Sequence, residues 1–213
     1  MQEEDIGNSF NENLVLADDL HYISGSNTII FHMKTHNILL LVLLLVLVDQ
    51  GAKLIIYTSY MDTNFEIIPK VLDFKPAFNS KYSFFNDSVY KNSGVDAGLL
   101  FHIFLFAIVW FVLFIIYRFF KRIEPLNKML DASICFLTAG VICAYLGMLV
   151  WENGILDFLH FKLLGNIIFD LKDIYLNCFV ILLIVSTKRI EKTYNIKSVD
   201  FRNYLQGLFQ KRE

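Results

Sequence analysis

Four long apolar runs constrain the fold of this chain more than any other feature. They cover about 38–57, 97–119, 130–151 and 169–187. Each is close to the roughly 20 residues that a helix needs to cross a bilayer. Because backbone facing lipid must satisfy its own hydrogen bonds, runs this long with few turn residues predict helices. We therefore expect an all-α polytopic membrane protein with four transmembrane helices.

Composition and charge agree with this class. Of 213 residues, 55% are apolar and only 19% are charged, a balance typical of membrane proteins. The net charge of −2 indicates no basic field for nucleic acid. Lysines and arginines cluster at 118–128 and 188–212, and such clusters mark cytoplasmic segments. Both termini are thus predicted to be cytoplasmic, and the segments 58–96 and 152–168 are predicted to face outward.

Three segments outside the apolar runs have distinct characters. In 58–96, aromatic and β-branched residues alternate with Asn, Asp and Pro, which predicts a small β-rich extracytoplasmic cradle. The tail 191–213 spaces apolar residues at helical intervals and predicts an amphipathic helix on the inner surface, or a frayed tail. Residues 1–32 hold six acids and no Lys or Arg. They predict a disordered extension, or a true translation start at Met33 instead of Met1. The membrane domain then spans 33–190.

Ionisable residues in membrane spans are expensive and are candidates for function. Asp49 and Lys53 stand four positions apart at the end of the first run, so on a helix they can pair. A neutralised pair that reaches toward the outer interface is the simpler interpretation. Asp157 follows the third run and Asp173 lies one turn into the fourth, so both are expected at the outer boundary of the membrane.

Two carboxylates brought close together can perform hydrolysis without a metal or cofactor. They cannot both ionise, so one keeps its proton and donates to a carbonyl oxygen, while the other acts as a base on water. The alternative is that Asp157 caps a helix and Asp173 pairs with Lys172 or Lys53. Lys172 and Asp173 point in different directions on a helix, so the lysine need not quench the pair, although it would depress the pKa of the aspartate.

The sequence from about Met33 to Thr187 resembles the lipoprotein signal peptidases (signal peptidase II). The family motif D-Q-x-x-K is similar to Asp49, Gln50 and Lys53. The N-T-G-A-A-F stretch is similar to Asn79–Phe84, the V-V-D-F motif to the segment around Asp157, and F-N-x-A-D to the segment around Asp173. In this register Asp170 stands where the family has Asn, and Lys172 where it has Ala.

The resemblance implies a function and an architecture. Asp157 and Asp173 would be the catalytic pair, and Asn79, Asp49, Gln50, Lys53 and Asp170 would bind substrate or support the site. The protein would be a membrane aspartic endopeptidase of the bacterial inner membrane, active at the outer face as a monomer. It would remove signal peptides from diacylglyceryl-modified prolipoproteins by cleaving before the lipidated Cys. Membrane lipid would surround the protein.

A second hypothesis comes from the end of the third run. The family motif G-N-x-x-D-R retains its glycine as Gly147, but Met148, Trp151 and Glu152 replace the polar residues. The alternative is therefore a catalytically impaired relative that binds lipidated or helical membrane clients without cleaving them.

Overall fold

The computed structural model describes residues 35–163 and 167–209. The elements follow in the order α1 (Thr35–Ser59), β1 (Phe65–Ile68), β2 (Leu72–Asn79), α2 (Phe84–Ser93), α3 (Gly98–Ile123), α4 (Lys128–Leu149), β3 (Ile155–Phe161), β4 (Ile167–Phe169), α5 (Leu171–Tyr194) and α6 (Ser198–Phe209). The described residues all belong to one compact unit, His32–Glu213. The predicted extension 1–32 lies outside them.

Three of these helices are long and apolar enough to cross a membrane. They are α1 from His36, α3 and α4. Helix α5 has 24 residues, but charged side chains near both of its ends leave only 174–187 uncharged. The prediction of a helical membrane protein with a small sheet is confirmed in this form.

Helix α4 is the centre of the helical layer. In its most apolar stretch of 18 residues 61% are buried, whereas the corresponding stretches of α1 and α3 are 17% and 6% buried. Leu130, Leu137 and Val141 of α4 pack with Phe119 of α3 and Phe179 of α5. The peripheral helices leave large apolar side chains exposed, among them Leu100, Ile108 and Ile181. Apolar surface of this extent suits contact with lipid.

The four strands form one antiparallel sheet in the order β1-β2-β3-β4. Strand β2 pairs with β3 so that Ala77 lies opposite Asp157 and Asn79 opposite Ile155. The register shifts between Phe74 and Ala77. Pro76 lies in this interval, and because proline cannot donate to the ladder, it is accommodated at such an irregularity.

The structure differs from the sequence prediction at three places. The segment 58–96, which the sequence predicts to face outward, contains a helix, α2. Ser83 caps its N-terminus by accepting from the backbone N–H of Asn86, and Gly94 ends it with a φ of 73°. Both are strong capping signals. Half of the sheet comes from β3 and β4, in and beside the 152–168 link. Helix α5 begins at Leu171, since Phe169 belongs to β4.

Candidate active site

Asp157 reaches the site from the middle of the sheet. It lies on β3, and its side chain is 7% exposed. Ile155, two positions earlier on the same face of the strand, packs against Ala144 and Met148 of α4. On the opposite face, Leu156 packs with Ile56 of α1. The strand is covered on both faces, and this fixes Asp157 between the sheet and the helices.

Asp170 and Asp173 reach the site from the start of α5. They form a reciprocal capping box, in which Asp170 Oδ1 accepts from the backbone N–H of Asp173 at 3.4 Å and Asp173 Oδ2 accepts from the backbone N–H of Asp170 at 3.2 Å. A capping box orients both side chains. The N-terminus of a helix also stabilises negative charge, so both carboxylates lie where anions are favoured.

The structure brings Asp157 and Asp173 together, with Asp170 beside them. One carboxylate oxygen from each of the three lies within 4.8 Å of the others. Their exposure differs: the side chain of Asp173 is 36% exposed, whereas that of Asp170 is 0% exposed. Asp173 is therefore more accessible to solvent than Asp170.

Lys172 makes the contact with Asp173 that the alternative interpretation predicted, together with contacts to Asp157 and Asp170 that the sequence did not predict. Its Nζ donates to Asp170 Oδ1 at 2.8 Å, and to Asp157 Oδ1 and Asp173 Oδ2 at 3.1 Å each. The expectation that Lys172 points away from Asp173 was wrong for the ammonium group. The two Cβ atoms do diverge on a helix, but the four-carbon side chain of a lysine is long and flexible enough to turn back.

A second lysine joins the site from α1. Lys53 Nζ lies 3.0 Å from Asp49 Oδ2 and 2.6 Å from Asp170 Oδ2, and all three side chains are fully buried. Gln50 Nε2 also donates to Asp49 Oδ2, at 2.8 Å. The predicted pairing of Asp49 with Lys53 is therefore present, but it is buried and linked to the carboxylates instead of reaching toward the interface.

These contacts define one connected set of side chains, which we call the acid-rich cluster. Its members are Asp49, Lys53, Asp157, Asp170, Lys172 and Asp173. Four carboxylates face two ammonium groups, so the cluster carries excess negative charge when all members are ionised. Such an excess in a buried place favours uptake of a proton.

Asp157 is the natural place for that proton. Burial raises the pKa of Asp157 to about 7, with Asp170 and Asp173 adding to the rise and Lys172 opposing it. The cluster thus contains a buried carboxyl group that binds a proton near neutral pH and a more exposed carboxylate. This is the asymmetry that carboxylate pairs use for acid and base roles.

Three carboxylates this close also resemble a set of metal ligands, since oxygen donors suit Mg²⁺ and Ca²⁺. In this arrangement the ammonium of Lys172 lies within 3.1 Å of all three. Positive charge is thus already supplied to Asp157, Asp170 and Asp173 from within the chain.

Asn79 lies at the edge of the site on the end of β2. It is two positions from Ala77, the residue opposite Asp157, so it shares a face of the sheet with that aspartate. Its Oδ1 accepts from the backbone N–H of Lys81 at 3.1 Å. Gly154 fits against it: a Cβ at Gly154 would overlap the Asn79 carbonyl, and the φ of 99° favours glycine.

The end of α4 is apolar. Met148 is 5% exposed and packs with Ile155, and Gly147 lies against the same isoleucine. Trp151 forms an aromatic group with Tyr57 and Phe78, at centroid distances of 5.2 and 6.3 Å. Glu152 is exposed. Close packing has therefore replaced two of the three polar side chains that the family motif has here, at Met148 and Trp151.

The comparisons with known proteins agree with this architecture. The family model for signal peptidase (SPase) II matches residues 41–189. Two solved structures, described as bacterial membrane enzymes and determined by the in meso method at 1.9 and 2.3 Å resolution, share the fold with a TM-score of 0.54 at 23% identity. They cover 72% and 77% of this chain and 93% of their own. No curated protein matches the sequence.

The fold and the apolar helices define a multi-pass membrane protein with a buried acidic site where its sheet meets its helices. The chain belongs to the signal peptidase II family. Members of this family are proteases that process lipoprotein precursors in the membrane, and the resemblance inferred from the sequence motifs is confirmed.

Proposed function

We propose that this protein is an aspartic endopeptidase that removes signal peptides from diacylglyceryl-modified prolipoproteins, cleaving before the lipidated Cys. The observation that carries the proposal is the convergence of Asp157 and Asp173, from a strand and a helix, with their oxygens within 4.8 Å. The chemistry needs no metal or cofactor. The protein acts as a monomer in this proposal.

The geometry supports distinct roles for the two aspartates. Asp173, the more exposed, takes a proton from a water molecule, whose oxygen attacks the carbonyl carbon before the Cys. Asp157, whose pKa lies near 7, donates its proton to the carbonyl oxygen. Collapse of the tetrahedral intermediate then breaks the C–N bond. The proton on Asp173 passes to the leaving amine, and one hydroxyl of the intermediate returns its proton to Asp157 as the carbonyl group reforms. Lys172 turns away from the pair as substrate enters.

The remaining polar residues support this arrangement. Asp49 and Lys53 hold Asp170 from α1, and Gln50 secures Asp49. Asn79 borders the site on the neighbouring strand and offers its side-chain amide to the substrate backbone.

The proposal includes a membrane topology. Helix α5 is the fourth span, and the acid-rich cluster lies at the outer face of the bacterial inner membrane. Arg189 Nη2 contacts Glu124 Oε1 at 2.8 Å, which supports placing the α3–α4 loop and the end of α5 on one side. Both are rich in basic residues, so that side is cytoplasmic. Both termini lie there, with α6 packed through Phe201 against Phe119 as an inner-surface helix.

The test is an incubation of the purified full-length protein with a diacylated prolipoprotein. Parent protein is compared with Asp157→Asn, Asp173→Asn and the control Asp131→Asn, a buried aspartate outside the cluster. We expect the control to process the substrate, and each cluster variant to lose at least about 1,000-fold, because removal of either carboxylate disables the pair. Processing by either cluster variant at the parent rate would contradict the proposal.

A second candidate function has one specific observation in its favour. The ammonium of Lys172 lies 3.1 Å from both Asp157 and Asp173, and an ion pair held there would keep water from the carboxylates. A relative that binds lipidated clients without cleaving them would have this arrangement. In that case the parent would leave the prolipoprotein intact yet co-purify with it from detergent, and Asp157→Asn would bind equally well.

A further inference from the structure

Lys172 and Asp170 depart from the family motif together. Each replaces a neutral residue of F-N-x-A-D, one with a negative and the other with a positive charge. Their side chains meet at 2.8 Å, which is closer than the ammonium lies to either Asp157 or Asp173. Both are buried, with side chains 8% and 0% exposed. Two opposite charges in one buried contact depend strongly on each other.

Removal of either member alone leaves a charge without its partner. Without Lys172, three carboxylates stay within 4.8 Å of one another and only Lys53 remains to neutralise them. Without Asp170, the ammonium of Lys172 keeps only Asp157 and Asp173 as partners and binds more firmly between them. Removal of both leaves the Asp49–Lys53 ion pair behind position 170 as the remaining charged neighbour of the Asp157–Asp173 pair, and that ion pair is itself neutral.

We propose that Lys172 is a positioning residue for the Asp157–Asp173 pair and that Asp170 is the anchor of its ammonium group. The inference rests on the proposed peptidase function. Asp170 binds the ammonium group beside the pair. The lysine therefore neutralises the site without being fixed between Asp157 and Asp173. When substrate enters, Nζ stays with Asp170 and releases its contacts to Asp157 and Asp173.

The test is a double-mutant cycle on the full-length protein, with Lys172→Ala, Asp170→Asn and the double variant. We expect each single substitution to slow processing about tenfold or more, and the double variant to return to within about threefold of the parent. Thermal unfolding in detergent should follow the same order, with the double variant more stable than either single one. If the fold-losses in processing rate of the two single variants multiply in the double variant, the proposal is wrong.

A matched control separates this pair from the rest of the cluster. Asp49 contacts Lys53 but not Lys172 among the described contacts, and it is as deeply buried as Asp170. The double variant Asp49→Asn/Lys172→Ala should therefore show losses that nearly multiply. Recovery as large as that of the Asp170 pair would contradict the anchor role. Lys172→Arg, which keeps the charge, should retain more activity than Lys172→Ala.

A pH profile distinguishes positioning from a purely structural role. The charged groups around Asp157 are Lys172, Asp170 and Asp173 of α5, with Asp49 and Lys53 of α1 behind Asp170. Loss of the ammonium should move the acidic limb of the processing profile upward by about one pH unit, and the double variant should move it back. An unchanged profile would mean that Lys172 only stabilises the fold.

Failure of the proposed peptidase function can be distinguished from failure of the proposed role of Lys172. If no variant and no parent protein processes the prolipoprotein, the function is wrong, whereas the unfolding cycle still decides the pairing of Lys172 with Asp170.

Discussion

Two buried clusters of acids and lysines in this protein differ in how their charges balance. Near the start of α4, Asp131 pairs with Lys121 at 2.6 Å and accepts from the Tyr117 hydroxyl at 3.2 Å. One carboxylate there meets one ammonium group and one neutral donor. In the acid-rich cluster, four carboxylates share two ammonium groups. We call the first group the Asp131 cluster.

The difference separates a structural ion pair from a site that holds a mobile proton. In the Asp131 cluster the single carboxylate already has its charge balanced by Lys121 and accepts a further hydrogen bond from Tyr117. An excess of buried carboxylates must take up protons or be neutralised by something that enters. Perturbed buried groups mark functional sites more often than balanced pairs do. The predictions below test this difference.

The largest effect is expected from removal of a lysine. Lys53→Met leaves Asp49 and Asp170 buried without their shared partner, and should lower the free energy of unfolding by about 3–5 kcal/mol. Lys121→Met leaves only Asp131 without its ion-pair partner, and Tyr117 still donates to that carboxylate. The Lys121 side chain is itself 14% exposed, so the loss in free energy of unfolding should be about half as large. Unfolding in detergent, followed by circular dichroism, measures both. Equal losses would show that the clusters do not differ.

The sequence predicted the helices well because their apolar runs are long. It predicted the sheet less well, since Ile155–Phe161 is covered on both faces and therefore lacks the alternation of a half-buried strand. The aromatic residues of segment 84–93 predict strands and turns, whereas the caps at Ser83 and Gly94 favour the helix that the structure has.

The site was predictable only through the family motifs. Spacing alone left Asp157 and Asp173 as one option among ion pairs and caps, because nothing in the sequence reports that β3 lies beside the start of α5. The contacts of Lys172 with Asp157 and Asp170 were not predictable for another reason. A periodicity argument follows the Cα–Cβ direction, and in a lysine the charge lies four bonds further along a flexible chain.

A smaller effect is expected from pH. The pKa of Asp157 is raised by burial to about 7, so the folded protein holds a proton that the unfolded chain releases above about pH 4. Stability from this group is therefore lost as pH rises from about 4 to 7. The free energy of unfolding of the parent should therefore fall by at most about 1.4 kcal/mol per pH unit over this window, relative to Asp157→Asn, which cannot titrate.

Asp73 provides the control for this measurement. Its hydrogen bond with Lys162 lowers its pKa, so its contribution is complete above the ordinary pKa of an aspartate and is lost only in stronger acid. Asp73→Asn should therefore keep the parent's decline between pH 4 and 7. A decline that persists in Asp157→Asn would mean that another group of the acid-rich cluster holds the proton.

The smallest effect is expected in the Asp131 cluster. Tyr117→Phe removes one hydroxyl donor to Asp131 Oδ1 while Lys121 stays in place, so the free energy of unfolding should fall by about 1 kcal/mol, the usual contribution of one hydrogen bond. Processing of the prolipoprotein should not change, because this cluster takes no part in proton transfer. Tyr145→Phe, which removes a hydroxyl donor to the Ile103 carbonyl, is a matched control without an ionised acceptor. A loss of processing in Tyr117→Phe alone would mean that the Asp131 cluster is coupled to the site, and the division between the two clusters would then be wrong.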